Sequence, residues 1–308
     1  FHADVFARCW NQRLDQGIYD DQEHAVWECV MIRTAAETDV HAGTSLRLIL
    51  RNVYEYRSAI NSMVRRELAV RYVGTIGGPL WVILQPIATV VVFWFVFSIG
   101  FKAKGPSSTS FILYFLSGYL PWLLFSEALS ASIQSIVSNS HLVKKTIFPT
   151  EILPVVHFVG ASFTHLVLLL CTTAVILAHG GSLYVTYVQI VYYYGALACL
   201  VLGLAWTLAA LQVFHRDVGQ VMGVVLNLWF WATPIVWNRE IIPEQYGWVI
   251  NCNPIYYIVE GYRQSLLYGI PMWHDLDATL HFWAVAIPIL GVGLLVFSRL
   301  KAEFADVL

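Results

Sequence analysis

Residues 152–215 read ILPVVHFVGASFTHLVLLLCTTAVILAHGGSLYVTYVQIVYYYGALACLVLGLAWTLAALQVFH, a run without one Asp, Glu, Lys or Arg. As helix, roughly 20 apolar residues cross the hydrocarbon core of a bilayer, so this run is too long for a single crossing. Gly180-Gly181-Ser182 interrupts it and predicts two spans, at about 155–178 and 187–212. The same reading extends in both directions. Between Arg71 and Lys102 there is again no charge, which places a first span at about 80–100. A second, at about 111–137, carries Glu127 as its only charge, and Gly118 and Pro121 predict a bend in it. A fifth falls at about 218–237 and a sixth at about 279–298. The stretch from Arg239 to Ala278 is too apolar for a solvated loop. Pro243, Asn253-Pro254 and Gly269-Ile270-Pro271 cut it into pieces below spanning length. It predicts two short re-entrant or outer helices at about 243–269, allowed where protein or a cavity covers them.

Composition agrees. The 308 residues are 58% hydrophobic and only 12% charged, with a mean hydropathy of +0.63. Soluble domains carry about 25% charged residues, so half that share leaves too little to coat a water-facing surface. The formal net charge of −2 supplies no basic field for nucleic acid. The expected fold is an all-α polytopic membrane protein with six transmembrane helices.

Orientation follows from the Lys and Arg residues beside the spans. With the N-terminus inside, the cytoplasmic side holds Arg57, Arg65, Arg66, Arg71, Lys144, Lys145, Arg216, Arg299 and Lys301. The outer side then holds only Lys102, Lys104, Arg239 and Arg263. Both termini are therefore expected in the cytoplasm, with 301–308 as a tail. Before the first span, Leu46, Ile49, Leu50, Val53, Ile60, Val64 and Leu68 recur at helical spacing, opposite a face rich in arginine. Residues 46–72 thus predict an amphipathic interface helix, apolar side in lipid and arginines toward anionic headgroups. Residues 1–45 read as a cytoplasmic extension without an assigned role. The chain opens on Phe1 rather than Met, as expected of numbering that starts within a longer chain.

Several chemistries are excluded by residue type. The five lysines are Lys102, Lys104, Lys144, Lys145 and Lys301, and none follows a glycine. A phosphate-cradling GxxxxGK(S/T) loop is therefore absent, and the chain cannot be its own P-loop ATPase. There is no HExxH or GxSxG, and the five cysteines show no metal or disulfide spacing. They read as packing residues. No catalytic residue, metal site or cofactor is expected in this chain. Ionisable residues at membrane depth are few: Glu127, His157, His165, Glu260 and Arg263. Such groups are kept in lipid only for a reason. His157 and His165 lie about two turns apart and suit either a proton relay or helix packing. Glu260 and Arg263 are spaced to pair with each other.

Aromatic residues make up 15% of the chain. Belts at the membrane surface account for many, while those placed deeper suit the C–H faces of sugar rings along a wide passage. The loop Leu142–Pro154, with Lys144, Lys145, Phe148, Pro149 and Glu151, has the make-up of a segment that docks into a partner's groove. It is equally an ordinary positively charged loop on the inner side.

Four stretches in order carry a family resemblance. They are Arg65–Tyr72 leading into Gly77–Trp81, Lys144–Pro154, Phe214–Gly219 leading into Leu228–Trp237, and Asn253–Tyr256 with Glu260–Arg263. Together, over about residues 46–300, the chain resembles the permease subunits of ABC-2 type polysaccharide exporters, most of all those of O-antigen (lipopolysaccharide) export. Capsule and teichoic-acid exporters are the related alternatives.

The resemblance implies a homodimer in the bacterial inner membrane, paired with two copies of a separate P-loop ATPase that holds ATP and Mg. It implies an ATPase-coupling helix at Lys144, Lys145, Phe148, Pro149 and Glu151. It implies a glycan channel with Trp94, Phe97, Trp229 and Phe230 on its wall, and an outer gate at Tyr256, Tyr257, Glu260 and Arg263. Its cargo would be a glycan on undecaprenyl pyrophosphate, met by Arg65, Arg66, Glu67 and Arg71 of the interface helix. A drug or small-lipid exporter of the same architecture, a secondary carrier and a membrane-embedded enzyme are the rival classes. The last two need clustered acids or histidines that the sequence scarcely supplies.

Overall fold

A computed structural model describes residues 46–72, 78–102, 105–106, 109–145 and 149–308. Residues 1–45, and with them the N-terminal extension, lie outside the described residues. So do the side chains of Arg71, Lys145 and Phe148. Among the described residues every regular element is helical.

Four helices are long and apolar enough to cross a membrane: Phe111–Ser138, Ile152–Ala178, Val185–Phe214 and Leu276–Glu303. The chain is a multi-pass membrane protein. We name the α-helical elements α1 (Leu46–Glu55), α2 (Arg57–Tyr72), α3 (Trp81–Phe93), α4 (Phe111–Ser138), α5 (Ser140–Lys145), α6 (Ile152–Ala178), α7 (Gln189–Phe214), α8 (Val218–Ala232), α9 (Gly247–Asn251), α10 (Pro254–Arg263), α11 (Leu276–Leu300) and α12 (Phe304–Val307). With 28 residues, α4 is about 42 Å long at 1.5 Å per residue, more than the hydrocarbon core requires.

Two stretches expected as spans are shorter, at Leu84–Gly100 and Val218–Ala232. The first is wound as α-helix only to Phe93 and continues as a π-helix over Trp94–Gly100. The second stops at Ala232 rather than near 237, and Thr233 is extended at φ −94 and ψ 134. Pro234 explains the stop, because the residue before a proline is pushed out of the helical region. Pro121, in contrast, does not divide α4, which continues through it; neighbouring helices can satisfy the freed backbone groups.

The core lies where α4, α6, α7 and α11 pack along one another. Between α7 and α11 the backbones touch. A Cβ on Gly203 would lie 2.8 Å from the Leu290 Cα, and one on Gly293 would strike the Gly203 carbonyl oxygen. Lipid offers no hydrophobic drive to join two helices, so small residues that permit such close approach supply the packing instead. On α6 and α11 most of the apolar window stays outside the protein interior, as a lipid-facing surface must.

The interface helix is two helices, α1 and α2, broken at Tyr56. Its apolar stripe does not simply face lipid. Tyr56, Ile60 and Val64 are buried against Ile152 and Val156 at the start of α6. The stripe therefore docks α2 onto the protein, while Arg65 and Arg66 on its other side are exposed.

Candidate functional site

Among the described residues, three of the places that hold polar or ionisable groups inside this apolar frame include the residues singled out above. The first is a cavity of about 760 Å³ between α3, α4 and α8. Its aromatic walls include Trp81, Phe93, Tyr119, Trp122 and Phe230, and its polar groups include Gln85, Thr89, Ser126 and Asn227. Among the described residues lining it, Glu127 is the charged one. Flat apolar faces interleaved with short hydroxyl and amide groups bind by stacking and by single hydrogen bonds, without one deep anchor.

Behind the cavity runs a ladder of rings. Phe97 stacks on Phe111 at 5.5 Å, Phe111 on Phe115 at 5.9 Å and Phe115 on Tyr119 at 5.2 Å. Of the four aromatics expected on the passage wall, Phe230 lines the cavity. Phe97 belongs to the ladder behind it, and Trp94 is half-exposed on the π-helix, away from the cavity lining. Trp229 turns away, its indole Nε1 donating to Asn253 Oδ1 at 2.9 Å. Successive helical residues point about 100° apart, so adjacent aromatics serve different faces.

The second place joins the start of α6 to α1 and to the end of α11. The Glu151 carboxylate accepts from Asn52 Nδ2 at 2.7 Å and from Lys301 Nζ at 2.7 Å. Its carbonyl accepts from Trp206 Nε1 at 3.0 Å. Glu151 is only 1% exposed. It was expected to present its charge to a partner, and the structure corrects this: the carboxylate is an internal tie between three segments. Pro149 is likewise buried, whereas Lys144 is exposed on α5. One turn into α6, His157 Nδ1 lies 2.9 Å from Glu67 Oε1 of α2. His165, further along, is buried with Nε2 3.1 Å from the Tyr262 hydroxyl. The two histidines thus serve two separate contacts rather than one relay. Among the described residues no group of His, Cys, Asp and Glu is arranged to hold a metal. Cys171 and Cys252 are exposed and free, which departs from the packing role expected of them.

The third place is at the opposite end of the bundle, over α9 and α10. Asn253 caps α10, accepting from Ile255 N at 3.1 Å, with Pro254 in the first turn. Arg263 is wholly buried. Its guanidinium lies 3.7 Å above the Tyr114 ring, donates through Nη2 to the Ile235 carbonyl at 3.0 Å, and meets Glu260 Oε2 at 3.4 Å through Nη1. The expected Glu260–Arg263 pair forms, and it is one corner of a larger seat.

Tyr257 is equally committed. Its hydroxyl lies 3.1 Å from that of Tyr192 and 3.0 Å from Thr279 Oγ1. Trp283 Nε1 donates to the same Tyr192 hydroxyl at 2.9 Å, so α7, α10 and α11 are tied through one chain of bonds. Tyr256, Tyr257 and Glu260 also line open space, a cavity of about 600 Å³ shared with Arg239, Gln264, Asp275 and Asp277. Burial, and then the Glu260 carboxylate, push the Tyr256 phenol above its ordinary pKa against the opposing Arg239. It therefore stays a neutral hydrogen-bond donor at working pH.

Sequence reasoning overlooked Asn52, Trp206, Tyr114 and Arg239, whose roles depend on distant partners. Gln85 and Asn227 did carry a signal, since amides inside apolar spans are costly.

A family profile described as "ABC-2 type transporter" matches residues 58–267. The chain belongs to this family of membrane transporter proteins. It is 27% identical to the O-antigen export system permease protein RfbA of Klebsiella pneumoniae over 261 residues, covering 80% of this chain and 93% of that one. The protein of that name in Myxococcus xanthus is 28% identical over 263 residues, covering 84% and 98%. Polysialic acid transport protein KpsM of Escherichia coli is 21% identical over 212 residues, covering 68% and 81%.

Proposed function

We propose that the chain is the transmembrane subunit of an ATP-driven exporter that carries a lipid-linked, O-antigen-like polysaccharide across the bacterial inner membrane. One observation carries the reading: the cavity between α3, α4 and α8 lines aromatic faces with single amides and hydroxyls, as a polymer of sugar rings requires. Its volume falls within the roughly 300–1,000 Å³ of ligand sites in general. The similarity to O-antigen permeases along most of both chains supports the same cargo.

In this reading α3 with its π-helical extension and α8 complete six crossings, and both termini face the cytoplasm. The exposed apolar faces of these two helices, with Val91, Val92, Val224 and Leu228 outward, suit a second copy that closes the other half of the passage. Two copies of a separate ATPase bind ATP and Mg. They engage the chain at α5 and the loop that follows, where Lys144 is exposed. Glu151 does not touch the ATPase. It conveys the push, because its carboxylate binds α1 and the end of α11 to the start of α6. A rigid-body shift of packed helices is then the natural response. Arg65 and Arg66, exposed on α2, and Arg71 meet the pyrophosphate of the lipid carrier through charge-assisted bonds. The segment around α9 and α10 forms the outer gate.

The test is deletion of the gene in its own host. Loss of surface polysaccharide together with accumulation of lipid-linked glycan on the inner face is the expected result. Unchanged surface polysaccharide would overturn the reading.

A further inference from the structure

We propose that the cavity of about 600 Å³ beneath α10 is a second glycan subsite, on the exit side, and that it accepts sugars without fixed negative charge. The inference rests on the glycan-export reading and on its orientation, and adds a site and a substrate class to them.

The walls are those of a sugar site. Tyr256 offers a ring face, and Gln264 an amide, above the first turns of α11. Charge then narrows the ligand. Among the described lining residues, Glu260, Asp275 and Asp277 stand against Arg239, with His281 as a further titratable group, and the charge of Glu260 is met in part by buried Arg263. The Arg239 guanidinium is itself drawn over the Tyr256 ring, 5.7 Å from its centre. Asp275 uses Oδ1 to cap α11 through Ala278 N, and Glu260 uses Oε2 for Arg263. Each carboxylate has a second oxygen, and Asp277 stands exposed in the same turn. Carboxylates accept from sugar hydroxyls and, more strongly, from a protonated amine.

The sign persists beyond this cavity. A neighbouring cavity of about 690 Å³ shares Arg239, Tyr256 and Glu260 as a common wall and adds Glu240 and Glu244. In the passage between α3, α4 and α8 the charged residue among the described lining residues is again a carboxylate, Glu127. A polyanion would shed hydration against like charges along this route, a juxtaposition that strongly disfavours binding. Neutral or amine-bearing glycan meets no such barrier.

The permease with its ATPase in nanodiscs tests the site with three oligosaccharides of equal length: neutral maltoheptaose, an amine-bearing chitosan oligomer and an anionic oligogalacturonate. Calorimetry should show the first two binding and the third at least about tenfold weaker. Salt should weaken the chitosan oligomer most. Asp277→Lys should raise oligogalacturonate affinity and lower that of the chitosan oligomer, with Asp277→Asn intermediate. Equal binding of all three, unmoved by Asp277→Lys, would overturn the charge selection. Binding lost in Phe230→Leu but untouched at Asp277 would place the sugar in the inner cavity and remove the exit subsite. If no probe binds while lipid-linked glycan is still exported, the subsite fails and the export reading stands. If export fails as well, both fall.

Discussion

Lys301 Nζ lies 2.7 Å from Glu151 Oε2, an ion pair that joins the end of α11 to the residue before α6 across 150 positions of sequence. The carboxylate side is buried and the ammonium side is partly open to solvent, with 1% and 36% of the two side chains exposed. That asymmetry sets what each substitution does.

Removing one partner of a wholly buried pair costs about 3–5 kcal/mol. Lys301→Ala should cost less, about 2 kcal/mol, since the lysine was partly hydrated and Asn52 still donates to Glu151. Glu151→Gln, which keeps an acceptor for Asn52, combined with Lys301→Met should be better tolerated than Lys301→Ala alone. Thermal melting of the purified complex in detergent checks the order.

Arg263 and Gly118 are coupled. A Cβ at position 118 would sit 2.6 Å from Arg263 Nη2 and 3.1 Å from its Cζ. Gly118→Ala should therefore sharply lower the yield of folded protein. In an Arg263→Met background the same change should cost much less, the non-additivity expected of residues in contact. Folded yield by size-exclusion chromatography of the four variants measures this.

At the crossing of α7 and α11 the backbones leave no room for a side chain at Gly293. Gly293→Val should separate the helices and lower the melting temperature by many degrees, because overpacking a close contact forces backbone shifts. Gly291, whose added Cβ would meet nothing within 4 Å, should accept valine on the same helix with little change.

Substitutions at Trp229 and Phe230 should act by different routes. Trp229→Phe deletes the bond to Asn253 Oδ1, worth about 1 kcal/mol, and loosens the cap of α10. If α9 and α10 form the proposed outer gate, it should slow transport while leaving ATP hydrolysis by the partner intact. Phe230→Leu removes the ring from the cavity wall while keeping apolar bulk against Phe93 and Trp122, and should slow glycan transport with only a small loss of melting temperature. Transport, hydrolysis and melting assayed side by side check both.

The membrane architecture was legible because charge in lipid is costly: a run such as Ile152–His215 has few other readings. Pairing along one helix was also legible, as Glu260 and Arg263 show. Burial brought about by distant partners was not. Glu151 sits among lysines and prolines in a loop that reads as solvated, and only Asn52, Trp206 and Lys301 reveal it as interior. The resemblance implies an outer gate at Arg263, but nothing along the helix announces that Tyr114, remote along the chain, takes its guanidinium into the interior. The apolar stripe of α2 looked made for lipid, and the same periodicity served to dock it on α6. Amphipathic spacing specifies a face, and the fold chooses what covers it.

The most direct test of the account is reconstitution of the permease and its partner ATPase in proteoliposomes, loaded on the outer face with lipid-linked glycan. Luminal glycan is then followed by its loss of sensitivity to an added glycosidase. ATP-dependent protection, abolished when the chain is omitted and slowed by Phe230→Leu, is the predicted result. Protection that needs no ATP, or that is unchanged without this chain, would contradict it.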